Sequence, residues 1–596
     1  METAAKFAVF FVFAGVIGGI YAAATLTARV ATGTWEKNVF DLAGLYSAGT
    51  AEMGVLFWTI LILCVLIGIG LAVVSYLVGV KTSGGRGSSD KQALPHRATY
   101  KDVKDTLSYD AALKSAREPL KNIMIDPSKP KEERKRLEKV VDEIPPQMLV
   151  TELGIAQGKK LYGQSEESKL IYAIPRSGKT AYLAAGWVID APGAVITTST
   201  KADILDITAA PREQKGGLAW AFDLMGISGW HRKAMWNPVV GSEDIEVALR
   251  RGKAWGSAQP MKGVKGGDWF NSRAGNILGR MLFTAAISDK SMEDVKQWGN
   301  NLMDPEPVEL LRQHQTVPGA RDALSYLQGM QSGDNGEGNF AVQSALSELL
   351  EPLALPRVME QLTCRAEDAF DIAAFLSSHD TLILLADPSE NNGAGPITSM
   401  FASEVLDEAK RQAISRPGGR FWPPFRAVLD EAANLAAFPK MGSLVTDSGG
   451  RGIELSVFVQ EASQLKDRWG DAQAKEIANA ANVKYYFPGM GVTDETRELS
   501  DLMDTYDRKT RSTTSQANGG RSVQVGTQKE QVMTPKQINE IAKGTAILRY
   551  ANLTPLQVKL TGYWQREDGK EIQRMRSETA RNCGRPADLE AIDWSL

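Results

Sequence analysis

Apolar positions divide this chain into three regimes. The first is a pair of long uncharged runs, Phe7 to Leu26 and Met53 to Val80. A bilayer-crossing helix needs about 20 apolar residues. A cleaved signal peptide has a shorter apolar core and no second run behind it. The pattern therefore predicts two N-terminal transmembrane helices and an anchor in an inner or plasma membrane. Lys81, Arg86 and Lys91 follow the second run, so the excess of positive charge on the inner side places that flank, both chain ends and the bulk of the chain in the cytoplasm. Trp35 and Tyr46 fall in a small outer loop. Gly15 and Gly19 have G-x-x-x-G spacing, which in so Gly/Ala-rich a run arises as readily by chance as for helix packing.

The second regime is polar. Thr82 to Ser89 is Gly/Ser-rich and reads as a flexible tether. Pro130 to Glu143 reads as a charged helix closed by Pro145 and Pro146, and its mixed signs with i,i+4 pairs suit a solvated face better than a nucleic-acid patch.

From Leu149 onward, short apolar runs of strand length alternate with helical stretches. Leu170 to Ile174, Gly193 to Ser199, Thr381 to Ala386, Phe425 to Leu429 and the strand before Gln460 read as buried strands of a parallel sheet. The first two, with the helix between them, are expected to form one right-handed crossover. Between Glu243 and about Leu376 the residues favour helix, with Val342 to Leu350 amphipathic and stopped by Pro352. Ser512 to Gly526 reads as a polar loop, and Thr534 to Gln537 as a capping box. Gly544 to Tyr550 and Leu556 to Tyr563 form a terminal strand pair, and the tail after Gln565 shows no motif.

One of these strands leads into chemistry. After Ile174 come Pro175, Arg176, Ser177, Gly178, Lys179 and Thr180, with a helix expected from about Ala181. A loop of this kind cradles phosphates on backbone N–H groups and a helix N-terminus, a lysine neutralises the outer phosphates, and a hydroxyl ligates Mg2+. The position that usually holds the opening glycine is Ala173. Downstream, Asp430 and Glu431 close an apolar strand, placed to hold Mg2+ through water and to take a proton from an attacking water. Gln460 leaves a buried strand where a terminal phosphate could be sensed. Arg451, between glycines, fits an arginine finger and a solvated turn equally well on local grounds. Thr200 to Asp203 has the form of a guanine-reading motif, but it follows the first helix, too early for that role.

Charge and cysteine content narrow the partners. Lys plus Arg number 68 against 71 for Asp plus Glu, so nucleic-acid contact must be local rather than global. The 3 cysteines and 4 histidines are scattered, with neither disulfide nor zinc spacing.

Two apolar spans, Pro175 to Thr180, Trp236-Asn237-Pro238, Asp268-Trp269-Phe270, Leu429-Asp430-Glu431 and Gln460 to Leu465 together resemble the type IV secretion coupling proteins, the TraG/TraD family of conjugative DNA-transfer ATPases. The resemblance runs from the first span to about Tyr563, and Asn479 to Leu502 looks like that family's last core region. It implies an α/β fold with a RecA-like P-loop NTPase core interrupted by an all-α domain. The segments would be an anchor at 1–81, a linker and charged helical segment at 82–148, nucleotide-binding parts at 149–242 and 377–565, the all-α domain at 243–376 and a polar tail at 566–596. It further implies ATP and Mg2+ as cofactors, with phosphate bound by Pro175 to Thr180, metal and base roles for Asp430 and Glu431, sensing by Gln460, and support for the finger role of Arg451. Its implied partners are relaxase-bound single-stranded DNA, the channel components and five further copies in a homo-hexamer. Three alternatives stay open: a double-stranded DNA pump of the FtsK type, a motor for protein-only secretion, and a docking receptor that holds nucleotide without turnover.

Overall fold

The structure is a computed structural model that describes residues 2–585, apart from 34, 36–37, 40–42, 44–46, 48–53, 68, 70–92, 260–266, 333–335, 388–393, 436–437 and 516–520. The Gly/Ser tether lies outside the described residues. The chain divides into two compact units, one of Met1–His96 with Tyr506–Val532 and the other of Arg97–Thr505 with Met533–Leu596.

The larger unit is built on one sheet. Its strands are β1 (Val150–Ala156), β2 (Lys159–Gln164), β3 (Lys169–Tyr172), β4 (Val195–Ser199), β5 (Ala219–Asp223), β6 (Thr381–Leu385), β7 (Phe425–Leu429), β8 (Ile453–Val459) and β9 (Val483–Tyr486), while β10 (Thr505–Ser515) and β11 (Arg521–Gln531) pair apart and β12 (Thr545–Tyr550) and β13 (Leu556–Lys559) rejoin it. The order across the sheet is β2-β1-β13-β12-β9-β3-β8-β7-β4-β6-β5. From β9 to β5 neighbours run parallel, and from β12 to β2 they run antiparallel. Strands β4, β6, β7 and β8 are buried at every position, which is why their sequences show no alternation. Helices cover both faces of a parallel sheet. Trp187, on the helix after the phosphate-type loop, packs against Phe458 and Tyr485 on one face. Phe401, on the helix Gly395–Ser415, packs against Phe222 and Trp236.

β3 and β4 are joined through the helix that follows the loop, as expected. The two strands are parallel members of one sheet, but β8 and β7 lie between them. Segments from more than 250 residues downstream thus occupy the middle of the sheet.

The strands β3, β8 and β7 carry a buried charge network near their starts. Lys169 Nζ lies 2.7 Å from Glu454 Oε1, and Arg426 holds Glu454 Oε2 at 2.6 and 2.7 Å. Thr151 Oγ1 donates to Glu454 at 3.0 Å, and Arg426 also donates to the Trp187 carbonyl at 2.6 Å. Burial would push the Glu454 carboxyl up, but Arg426 and then Lys169 outweigh it and hold it below the ordinary glutamate range. Each charge has its partner on a different strand, so the network fixes the register of the strands that end in the loop, Gln460 and the acidic pair.

Between Ile245 and Phe375 every described element is helical. The first two helices, Ile245–Ala258 and Gly267–Ile287, meet along glycines. A Cβ on Gly256 would lie 2.5 Å from the Asn271 carbonyl oxygen, and one on Gly275 the same distance from that of Gly252. Trp236 and Pro238 sit at the entry: Arg251 donates to the Pro238 carbonyl at 2.9 Å, stacks over Trp236 and pairs with Glu404 at 2.9 Å on the core helix.

The tail after Gln565 forms the helix Gly569–Asn582, packed on the helix Asp203–Gln214. Arg566 ties its start to Asp190 at 2.7 and 2.9 Å.

In the smaller unit, the stretch read as a polar loop is the two-stranded β10–β11 ribbon. Thr and Val at alternate positions favour extended chain even where it is polar on both faces. Tyr506 and Arg508 on β10 reach Glu530 on β11 at 3.1 and 2.5 Å.

The expected membrane anchor is overturned. Among the described residues no helix is long and apolar enough to cross a membrane. The helix Glu2–Thr32 has 31 residues, but its second half carries Thr25, Thr27, Arg29 and Thr32. Residues 55–67, within the second expected span, are helical. Met53 and most of 68–80 lie outside the described residues. The localisation in a cell membrane as a multi-pass protein falls with the two spans.

Candidate functional site

The C-terminal ends of parallel strands share one edge of a sheet, and there loops and helix N-termini converge. β3 ends at Tyr172, and Ala173 still pairs, donating its N–H to the Val459 carbonyl at 2.9 Å. Ala173 is fully buried, so the methyl group in place of the usual glycine is housed in the sheet, not in the cradle. The chain then turns through Arg176 (φ 63°) and Gly178 (φ +93°). The first is a left-handed position costing about 1–2 kcal/mol for a residue with a side chain. At the second, a Cβ would lie 2.8 Å from the Tyr182 ring, so only glycine fits.

The helix begins earlier than expected and in an unusual form. Thr180–Ala184 is a π-helical turn, closed by the Ala185 N–H on the Thr180 carbonyl, and continues as the α-helix Ala185–Ile189. π-turns are rare and concentrate at functional sites.

Asp430 and Glu431 stand at the end of β7, two strands from β3. Thr180 Oγ1 donates to Asp430 Oδ2 at 3.0 Å. Lys179 Nζ lies 2.8 Å from Asp430 Oδ1 and 3.7 Å from Glu431 Oε1. The three side chains are nearly buried. Neither Lys179 Nζ nor Asp430 Oδ1 makes a hydrogen bond, because the close pair lacks the angles for one, and the buried Ser177 Oγ also makes none. The Thr198 hydroxyl donates to the Asp430 carbonyl at 2.6 Å and fixes the turn. Glu431 sits at φ 53°, a second strained residue at the same edge.

Gln460 leaves β8, the strand between β3 and β7, and so emerges between loop and acids. Its N–H donates to Gln464 Oε1 at 2.8 Å. Arg451 stands apart, at the start of β8 and the opposite end of the sheet, half-exposed and paired with Asp447 at 2.7 Å. Within one chain it does not join the others.

Two groups at this edge escape a motif reading. Lys543, exposed, brings its Cε within 3.8 Å of where a Gly178 Cβ would be, so a second lysine overhangs the loop. Asp203, the first residue of its helix, accepts the Ile204 N–H at 2.9 Å; burial, helped by the charge of Asp430, pushes its carboxyl up. Asp203 closes the stretch that imitates a guanine motif, and that resemblance hid its real neighbour. Lys543 carries no sequence signal, since it arrives from a turn some 360 residues after the loop.

The donor set fits a magnesium nucleotide. A threonine hydroxyl and a carboxylate are the hard oxygen ligands Mg2+ prefers, and a buried ammonium and a hydroxyl without hydrogen bonds suit anionic phosphate oxygens.

Fold and site together define a mixed α/β core in which a phosphate-type loop and an acidic pair meet at one edge of a mostly parallel sheet. Residues 424–543 match the family described as the TraM recognition site of TraD and TraG, and the resemblance to the coupling proteins read from the sequence is borne out. Among solved structures, the unbound conjugative coupling protein TrwBdeltaN70 is 15% identical, with TM-score 0.47 over 66% of this chain and 85% of that one. TrwB in complex with a non-hydrolysable ATP analogue is 16% identical, with TM-score 0.47 over 69% and 89%. VirB4 of Thermoanaerobacter pseudethanolicus is 12% identical, with TM-score 0.38 over 69% and 95%. No curated protein sequence matches the chain.

Proposed function

We propose that the chain is an ATP-hydrolysing motor that couples relaxase-bound single-stranded DNA to a type IV secretion channel during conjugative transfer. The observation that carries this reading is the meeting of Lys179 and Thr180 with Asp430 at one strand edge, across 250 residues of sequence. In this reading Pro175 to Gly178 wrap the phosphates with backbone N–H groups. Lys179 turns from the acids to the outer phosphates. Thr180 and Asp430 hold Mg2+, which screens charge on the phosphate oxygens. Glu431 takes the proton of the attacking water, and Gln460 senses the terminal phosphate. Arg451, turned to solvent away from its own site, would serve a neighbouring copy in a hexameric ring. The nucleotide-binding domain would comprise 149–242 and 377–565, with 243–376 as an inserted all-α domain and 424–543 meeting a TraM-like accessory protein.

The test is ATP turnover by the full chain with and without single-stranded DNA, together with crosslinking to DNA and relaxase in donor cells. DNA-stimulated hydrolysis and a relaxase crosslink are expected. Nucleotide binding without turnover would leave a docking receptor, and stimulation by duplex alone would favour a double-stranded DNA pump.

A further inference from the structure

The side chain that seals the phosphate-type loop belongs to an aromatic pair. Tyr182, on the π-turn, lies against Gly178 on one side and Gly544 on another, where a Cβ would come within 3.1 Å of its hydroxyl. Its ring meets Trp564 edge to face, centroids 5.2 Å apart and planes at 62°. Trp564 remains 38% exposed although it lies on a packed core. It is also held stiffly. Tyr563, beside it, packs edge to face on it at 5.2 Å and accepts a hydrogen bond from Arg576 at 2.7 Å. A Cβ on Gly562 would lie 2.8 Å from the Trp564 ring, and one on Gly569 would lie 2.6 Å from its backbone. A large, rigid, half-open indole beside a phosphate cradle suits a flat π-system attached to those phosphates.

We propose that Tyr182 and Trp564 form the platform on which the base of the bound nucleotide stacks, a role that rests on the nucleotide-binding reading above. Stacking uses the π-face that every base possesses, so the platform accepts purines with little regard to identity and favours them over pyrimidines by area. The platform offers ring faces, and the Tyr182 hydroxyl is crowded by Gly544, so the pair's remaining polar group is the Trp564 Nε1–H, a single donor in the plane of its ring.

The experiment measures binding of ATP, GTP, CTP and Mg2+-tripolyphosphate to the full chain, to Trp564→Ala and Trp564→Phe, and to Tyr182→Leu. Tripolyphosphate presents the phosphates without a base and reports on the loop alone. Trp564→Ala is expected to weaken ATP and GTP binding roughly tenfold or more while leaving tripolyphosphate within about twofold, and Trp564→Phe to recover most of the loss. Wild-type affinity should fall from ATP and GTP to CTP. Unchanged ATP binding in Trp564→Ala, or equal loss of ATP and tripolyphosphate, would overturn the platform while the phosphate site stands. Failure of the wild-type chain to bind tripolyphosphate and ATP alike would overturn both readings.

Discussion

At the scale of single residues, the site holds opposite charges in contact before any phosphate enters. Removing the Lys179 ammonium leaves Asp430 and Glu431 buried against one another, so Lys179→Ala is expected to abolish nucleotide binding and turnover, measured by ATPase assay and isothermal titration. Glu431→Gln keeps the shape and loses the proton acceptor. It should bind ATP normally and hydrolyse it at least ~100-fold more slowly; wild-type turnover would remove Glu431 from the mechanism. A different electrostatic cost lies at the sheet's antiparallel junction. Lys484 on β9 stands directly opposite Arg549 on β12, and burial, then Arg549, push its ammonium down to about 8, against the pull of Glu498. A lysine with a lowered native pKa costs stability while it stays protonated, and the cost is relieved as pH rises above that value, because the unfolded chain still binds the proton there. Lys484→Met should therefore raise the melting temperature at pH 7, with the advantage shrinking above pH 8. A lower melting temperature at pH 7 would show that Glu498 dominates.

At the scale of elements, what the sequence made legible was everything local. Strands β4, β6, β7 and β8 show no polar alternation because both faces are covered, and the loop and acidic pair keep their side chains in short, dense motifs. The capping box predicted at Thr534 is present, with Thr534 and Gln537 exchanging hydrogen bonds. It orients Asn539, whose side chain and carbonyl hold the Gly489 to Gly491 turn beside the loop; Thr534→Ala should cost about 1 kcal/mol in chemical denaturation. What was not legible depends on partners far away. Lys169, Arg426 and Glu454 are charged residues in apolar strands, and a pattern reading sees three interruptions where the fold makes one network. Breaking it leaves a buried charge unpaired, so Glu454→Gln is expected to destabilise by roughly 3–5 kcal/mol. Because the carboxyl is held below its ordinary range, that contribution is complete near neutrality and is lost as pH falls through the acid range, so mutant and wild type should converge there. Trp564 was invisible for the same reason: its meaning lies in Tyr182, 382 residues earlier.

At the scale of the whole molecule, the chain order and the sheet order disagree where β8 and β7 come between β3 and β4, whereas β5 and β6 stay neighbours on either side of a long helical segment. Its first two helices touch backbone to backbone along Gly252, Gly256, Gly275 and Gly279. A methyl group there must push them apart, so Gly275→Ala should destabilise by about 1–3 kcal/mol, read as earlier proteolytic cleavage within 245–287. Insensitivity to protease would mean that the helices separate freely. The sheet order also governs how the molecule comes into being. β3 has β8 on one side and β9 on the other, and neither exists until ribosomes have passed Ile453, about 280 residues after Tyr172. At roughly 5–20 residues per second the nascent strand waits ~15–60 s with both edges bare, so a product cut short by premature termination in that interval would be sticky and inert, a substrate for chaperones or proteases instead of a half-working engine.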